Sequence, residues 1–193
     1  TVQDAGAYNA AVVLDPQPGD NVLDMCAAPG GKSTHMAELM NNKGRIISCD
    51  IHKHKIKLID DSAKRLGIDC IEAQISDGTK YDNSFAEKFD RVLCDVPCSG
   101  LGIIRRKPDI KLGRTQISDL YDIQRAILEN GSKYLKSGGT LVYSTCTINK
   151  AENEGITDKF LEREKTFVKL YEKTYLPDTD GSDGFYICAM KKN

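Results

Sequence analysis

The stretch Asn21-Val-Leu-Asp-Met-Cys-Ala-Ala-Pro-Gly-Gly-Lys32 begins as a short apolar run and breaks into small residues before a polar helical pattern takes over. NVLDM (Asn21–Met25) reads as a buried strand, and a helix runs from about Lys32 to Met40. The same strand–turn–helix unit recurs downstream. RIISC (Arg45–Cys49) is a second strand, followed by a basic helix over Lys53–Leu66 that Gly67 terminates. Asp69–Ala73 is a third strand and FDRVLCD (Phe89–Asp95) a fourth. A helix over Ile117–Leu135, the turn Lys136–Gly139, a fifth strand at Thr140–Ser144 and a helix over Ala151–Arg163 follow. Phe167–Leu170 and Gly184–Met190 read as two closing strands. This alternation predicts an α/β fold with a doubly wound, mostly parallel sheet and an antiparallel edge strand. In such sheets ligands lie beyond the carboxyl ends of the strands. The unusual residues of this chain, Cys26–Lys32, Asp50, Asp77, Asp95–Gly100 and Thr145–Cys146, all follow predicted strands.

The composition is that of one soluble globular domain covering residues 1–193: 40% hydrophobic and 28% charged residues. No apolar run approaches the ~20 residues of a membrane span, and Thr1–Ala10 carries no signal-peptide pattern. The chain lacks an initiator Met and opens close to its first structured element, so it reads as part of a longer protein. Its seven cysteines are odd in number, none stands at C-x-x-C spacing, and His35, His52 and His54 fall at no zinc spacing. Reduced thiols in a cytoplasmic, metal-free monomer are expected. The net charge is -1, with basic residues clustered at Arg105, Arg106, Lys107, Lys111 and Arg114. Any nucleic-acid contact is therefore expected through that one loop or through other parts of the parent protein.

Three cofactor readings compete for the turn Cys26, Ala27, Ala28, Pro29, Gly30, Gly31, Lys32. A phosphate-binding P-loop needs glycine five residues before Gly31-Lys32-Ser33, and Cys26 stands there. A dinucleotide fingerprint needs a third spaced glycine, which is missing. What remains is a nucleoside-binding turn without a pyrophosphate cradle. Asp50, 19 residues after Gly31, can accept both ribose hydroxyls, and Asp77 can meet an adenine amino group. Ribose and adenine without phosphates suit S-adenosylmethionine. Each Asp could instead merely cap a loop, but three at strand ends in register favour the ligand.

The fourth strand leads into Asp95-Val-Pro-Cys-Ser-Gly100 and the fifth into Tyr143-Ser-Thr-Cys146, so Cys98 and Cys146 are expected to converge at the mouth of the cleft. CAAPGGK, DVPCSG and STC resemble the RNA cytosine-5 methyltransferases of the Sun/NOL/NOP2 group. The resemblance extends from VQD (Val2–Asp4) through IRRKPDIK (Ile104–Lys111) to DGFY (Asp183–Tyr186). DIHKHKIKLI (Asp50–Ile59) and IRRKPDIK favour the bacterial 16S rRNA branch over the tRNA enzymes. It implies a Rossmann-like class I methyltransferase domain, S-adenosylmethionine as cofactor and RNA as partner.

The chemistry explains a pair of thiols. Cytosine C5 is too weak a nucleophile to take a methyl group from a sulfonium unaided, whereas a thiolate adding at C6 makes the ring an enamine. The residues alone do not say which cysteine attacks. The resemblance implies that Cys146 is the nucleophile and that Cys98 assists release as the base or its partner. It further implies that Asp95 holds N3, that Lys32 orients the base and that carboxylate, and that Lys55 joins the cofactor site where relatives often carry Arg. Arg105, Arg106 and Lys107 are the expected RNA contacts. Cys26, Cys49, Cys70, Cys94 and Cys188 are expected to be structural, and a histidine base is not expected. The family's upstream RNA-binding segments are missing, which implies that this piece binds cofactor but holds RNA weakly. An RNA-binding assembly factor without turnover is the alternative, and intact Lys32, Asp95, Cys98 and Cys146 speak against it.

Overall fold

The computed structural model describes residues 3–112 and 117–193; Val2 and Arg114 lie outside the described residues, as does the side chain of Lys111. Seven strands form one sheet: β1 (Asn21–Asp24), β2 (Arg45–Asp50), β3 (Ile71–Ile75), β4 (Phe89–Asp95), β5 (Leu135–Thr145), β6 (Phe167–Tyr175) and β7 (Phe185–Lys192), in the order β3-β2-β1-β4-β5-β7-β6. β1 to β5 run parallel, and β7 lies antiparallel between β5 and β6. The reversed strand thus sits one place in from the edge. The helices are α1 (Ala5–Leu14), α2 (Gly31–Leu39), α3 (Lys53–Arg65), α4 (Ile117–Tyr134) and α5 (Glu154–Arg163).

Successive strand residues point to opposite faces, and both faces are apolar. Val22, Ile46, Leu93, Val142 and Ile187 pack with Ala10, Leu14 and Met36 from α1 and α2. Their neighbours Leu23, Ile47, Val92, Leu141 and Tyr186 pack instead with Ile127 and Leu128 of α4 and Phe160 of α5. Strands buried on both sides are what near-continuous apolar runs such as IIS and VLC encode.

Three elements depart from the expectation. α1 was not expected, because AGAYNAAVVL is nearly all apolar and shows no polar face. It forms because Asp4 caps its first turn, accepting from Gly6 N at 3.1 Å, and because Ala10, Ala11 and Leu14 are fully buried against the sheet. β5 starts at Leu135 rather than Thr140, since Leu135 pairs with Phe89 before a register shift carries the expected turn as an irregularity inside the strand. β6 runs on to Tyr175, where its polar, exposed residues hide the apolar period while its backbone pairs with β7 as far as Phe185. Among the described residues, no helix is long and apolar enough to cross a membrane.

Candidate active site

The order of the strands reverses between β1 and β4, and their carboxyl ends open a crevice there. α2 begins in that crevice. Gly30 precedes it with φ +104°, a conformation that disfavours any side chain, and an added Cβ would also press on the Ile59 backbone at 3.2 Å. Ala27 N donates to Cys49 O at 2.7 Å and Gly30 N to Ala27 O at 2.7 Å, so the turn Cys26–Gly31 is strapped to β2.

Beside this turn lies a cavity of about 480 Å³. Its walls include the expected Cys26, Ala28, Asp50, Lys55, Asp77 and Asp95, joined by Pro97. Asp50, at the end of β2, is nearly buried; it accepts from His52 N at 2.9 Å and has Lys55 Nζ at 3.7 Å. Asp77 is held by Thr79, whose hydroxyl donates at 2.6 Å and keeps the carboxyl below its usual range, and by Lys80 at 3.2 Å. The loop-capping role therefore holds for Asp77 as well as its place in the cavity wall. Ala27, Pro29, Gly30 and Gly31 shape the turn from outside the cavity lining, and the expected Lys32 also lies outside it.

Sequence reasoning missed Ile51, His52, Val96 and Ile123, which also line the cavity. His52 sits two residues beyond Asp50, which motif spacing alone did not mark. Ile123 comes from α4, whose residues carry no motif at all.

Further along the same crevice, Cys98 Sγ and Cys146 Sγ lie 3.3 Å apart, one on the loop after β4 and the other just past β5. Lys32 Nζ contacts Asp95 Oδ2 at 2.7 Å, and Ser144 Oγ donates to Asp95 Oδ1 at 2.8 Å. Burial works against the Lys32 charge, but the ion pair with Asp95 outweighs it and holds the ammonium above its usual value. Lys32 Nζ also lies 5.5 Å from the centre of the Phe185 ring. The sulfur pair is asymmetric. The hydrogen bond from Cys98 pulls the Cys146 thiol below its ordinary value, against burial and the Asp95 charge and with help from Lys32. The same bond, with burial, pushes Cys98 up. The proton of the contact can sit on either sulfur, and the Lys32 charge favours the thiolate at Cys146.

The other five cysteines stand apart from this chemistry. Burial pushes Cys26, Cys94 and Cys70 up, and Cys49 and Cys188 to about 12. Asp24, fully buried one turn from Lys32, accepts from Ser33 Oγ at 2.7 Å; its other oxygen has no partner, and burial pushes its carboxyl up to about 7. No cluster of metal-ligating side chains occurs among the described residues.

Arg105 and Arg106 turn towards the protein. Arg106 reaches Asp4 at 2.6 Å and the buried Asp183 at 2.7 Å, while Arg105 lies 3.3 Å from Asp183. Both side chains keep about half their surface exposed, at 57% and 53%. Lys107 is exposed. The same region fixes the Cys146 loop: Gly102 N donates to Cys146 O at 3.0 Å and Gly184 N to Gly102 O at 2.9 Å.

A sheet of this order, with a crevice at its switch point, is that of a class I S-adenosylmethionine-dependent methyltransferase fold. Within that class, the profile of the family described as "16S rRNA methyltransferase RsmB/F" matches residues 11–191. The chain belongs to this family. It is 44% identical, over its whole length, to the "Probable ribosomal RNA small subunit methyltransferase B" of Bacillus subtilis (strain 168), of which it covers 47%. The crystal structure of PH0851 superposes on the entire chain with a TM-score of 0.95 at 35% identity, over 47% of that protein. NSun6 from Pyrococcus horikoshii, solved with SFG, matches 98% of the chain with a TM-score of 0.89 at 33% identity, over 52% of its own length. The chain spans about half the length of the curated relatives it matches.

Proposed function

We propose that residues 1–193 form the single catalytic domain of an S-adenosylmethionine-dependent RNA cytosine-5 methyltransferase that acts on 16S rRNA in the cytoplasm through a covalent adduct. The observation that carries this reading is the 3.3 Å approach of Cys98 and Cys146 beside the Lys32–Asp95 ion pair.

The cavity suits the cofactor by its chemistry. Asp50 offers carboxylate oxygens for the ribose hydroxyls, Asp77 an acceptor for the adenine amino group, and Ile51, Val96 and Pro97 apolar walls for the base. The unpartnered buried oxygen of Asp24, close to the turn Cys26–Gly31, offers an acceptor to a cationic group. When bound, S-adenosylmethionine supplies an electrophilic methyl group and leaves as the neutral thioether.

The residues divide the remaining work. Cys146, the more acidic sulfur, forms a bond to C6 of a flipped-out cytosine. The C5–C6 electron pair moves into the ring towards N3, where a proton passed from the Lys32 ammonium through the Asp95 carboxylate neutralises it. Lys32 fixes that carboxylate through one oxygen while Ser144 fixes it through the other. C5 becomes nucleophilic and is methylated. The C5 proton then passes to a water partnered by Cys98, N3 returns its proton through Asp95 to Lys32, the C5–C6 double bond reforms and the S–C6 bond breaks. Cys98 stabilises the departing Cys146 thiolate by donating the hydrogen bond along the contact the pair already makes. Arg105, Arg106 and Lys107 border the approach and contact phosphates.

In the full-length protein, Cys146→Ala abolishes methyl transfer, and Cys98→Ala accumulates an RNA–protein adduct that survives a denaturing gel. An adduct from the Cys146 variant would reverse the roles. Bisulfite mapping of rRNA and tRNA from a strain lacking the gene identifies the substrate, and a site lost from tRNA alone would refute the rRNA assignment.

A further inference from the structure

The loops carrying the two sulfurs are joined by a buried carboxylate that the chemistry above does not use. Glu152 lies between β5 and α5 and is fully buried. No lysine or arginine pairs with it among the described residues. Instead its two oxygens receive four hydrogen bonds: Ser99 N at 2.8 Å and Gln124 Nε2 at 3.0 Å on Oε2, and Ser99 Oγ at 2.5 Å and Asn149 Nδ2 at 3.0 Å on Oε1. An ionised carboxylate only accepts, and here every neighbour is a donor, so the charge is satisfied without a cation.

The donors are those that flank the sulfurs. Ser99 follows Cys98. Gln124 Nε2 also donates to Pro97 O at 3.0 Å, immediately before Cys98. Ser99 Oγ bonds Thr147 Oγ1 at 2.9 Å, immediately after Cys146. Tyr143 OH, from β5, donates to Glu152 O at 2.6 Å and anchors the carboxylate's own backbone. The chain is therefore gripped on both sides of Cys98 and on the far side of Cys146 by one group.

We infer that Glu152 is a positioning residue that sets the distance between the Cys98 and Cys146 sulfurs. The inference rests on the two-thiol reading of the site for its meaning in catalysis, but the distance itself is a property of the protein. Small changes in the placement of reacting groups have large effects on rate. Glu152→Gln places an amide group against two of the four donors. The Asn149 amide can turn to accept, but the Ser99 hydroxyl, which also bridges to Thr147, loses its short bond to the carboxylate, so the variant folds while the loops separate.

The rate at which diamide oxidises the two thiols to a disulfide is a ruler for this distance. Each sulfur loses its proton, the pair loses two electrons, and diamide is reduced to the hydrazine. In the full-length protein, peptide mass spectrometry should show Cys98–Cys146 disulfide formation about tenfold slower in Glu152→Gln than in wild type. S-adenosylmethionine binding should stay within about threefold, and kcat should fall while KM for RNA holds. Ser99→Ala, which keeps the backbone N–H bond but loses the hydroxyl bridge to Thr147, should show a smaller slowing, and it decides the matter if Glu152→Gln does not unfold cooperatively. Wild-type oxidation rates in the folded variants would overturn the inference. Slowed oxidation in a protein that methylates no RNA would leave the positioning role standing and overturn the proposed function instead.

Discussion

Lys32 Nζ, from the first turn of α2, lies 2.7 Å from Asp95 Oδ2 at the end of β4, and the two side chains keep only 17% and 22% of their surface exposed. The pair bridges the cofactor turn and the loop that carries Cys98. It also fixes which Asp95 oxygen remains with Ser144. Removing the cation leaves a carboxylate in a half-dry site with one hydroxyl donor. Lys32→Met should therefore destabilise the fold by about 3 kcal/mol and reduce methyl transfer at least a hundredfold. Urea unfolding and single-turnover assays check this, and a variant with wild-type kcat would remove Lys32 from the mechanism.

The asymmetry of the sulfur pair predicts different reactivities. The thiolate is the species that alkylates, and the bond from Cys98 lowers Cys146 while raising Cys98. Iodoacetamide should therefore label Cys146 first, with a pH midpoint below that of an ordinary thiol and Cys98 unlabelled through neutral pH. Peptide mass spectrometry across pH 6–10 would show the reverse order if Cys98 were the nucleophile.

Asp50 should carry much of the cofactor affinity, because it presents a nearly buried carboxylate to the cavity. Asp50→Asn should weaken S-adenosylmethionine binding about tenfold or more in calorimetric titration, consistent with the ~1.5–3 kcal/mol of hydrogen bonds to a charged group. Equal affinity would exclude it from the site.

Gly102 occupies a point where three segments meet. A Cβ there would overlap the Gly184 carbonyl oxygen and come within 2.8 Å of Cys146 O, and backbone cannot swing aside as a side-chain tip can. Gly102→Ala should cost about 3 kcal/mol and lower kcat, as the Cys146 loop is displaced. Unchanged thermal stability would mean that the Gly102–Gly184 contact is looser than described.

The Asp24 carboxyl, raised by burial from near 3.8 to about 7, carries a signed pH dependence. Between about pH 4 and 7 the folded protein holds a proton that the unfolded chain has lost. Stability therefore declines as pH rises through that window and the full penalty, roughly 4 kcal/mol, applies above it. Asp24→Asn removes this term. Urea titrations without ligand should show the variant losing less stability than wild type between pH 4 and 8. Parallel curves would mean that Asp24 is ionised throughout.

The chain's own order of residues determined the sheet, the turn at Cys26–Lys32, the acids at the ends of β2 and β4, and the convergence of Cys98 and Cys146. These were legible because each is a local signal: an apolar run that ends, a glycine where a helix must start, a carboxylate at a strand end. α1 was not legible, since its exposed side carries Tyr8 and Val12 rather than charged residues, so no polar face announces its period. Tertiary structure alone decided the rest. It turned Arg105 and Arg106 towards Asp183, closed the cavity with Ile123 from α4, and made one sulfur of the pair more acidic than the other. It also placed Glu152, which in sequence reads only as an acid before a helix, at the join of the two cysteine loops. These properties depend on distances between residues far apart in the chain, and hydrogen bonding, burial and charge act through those distances, which no spacing along the sequence encodes.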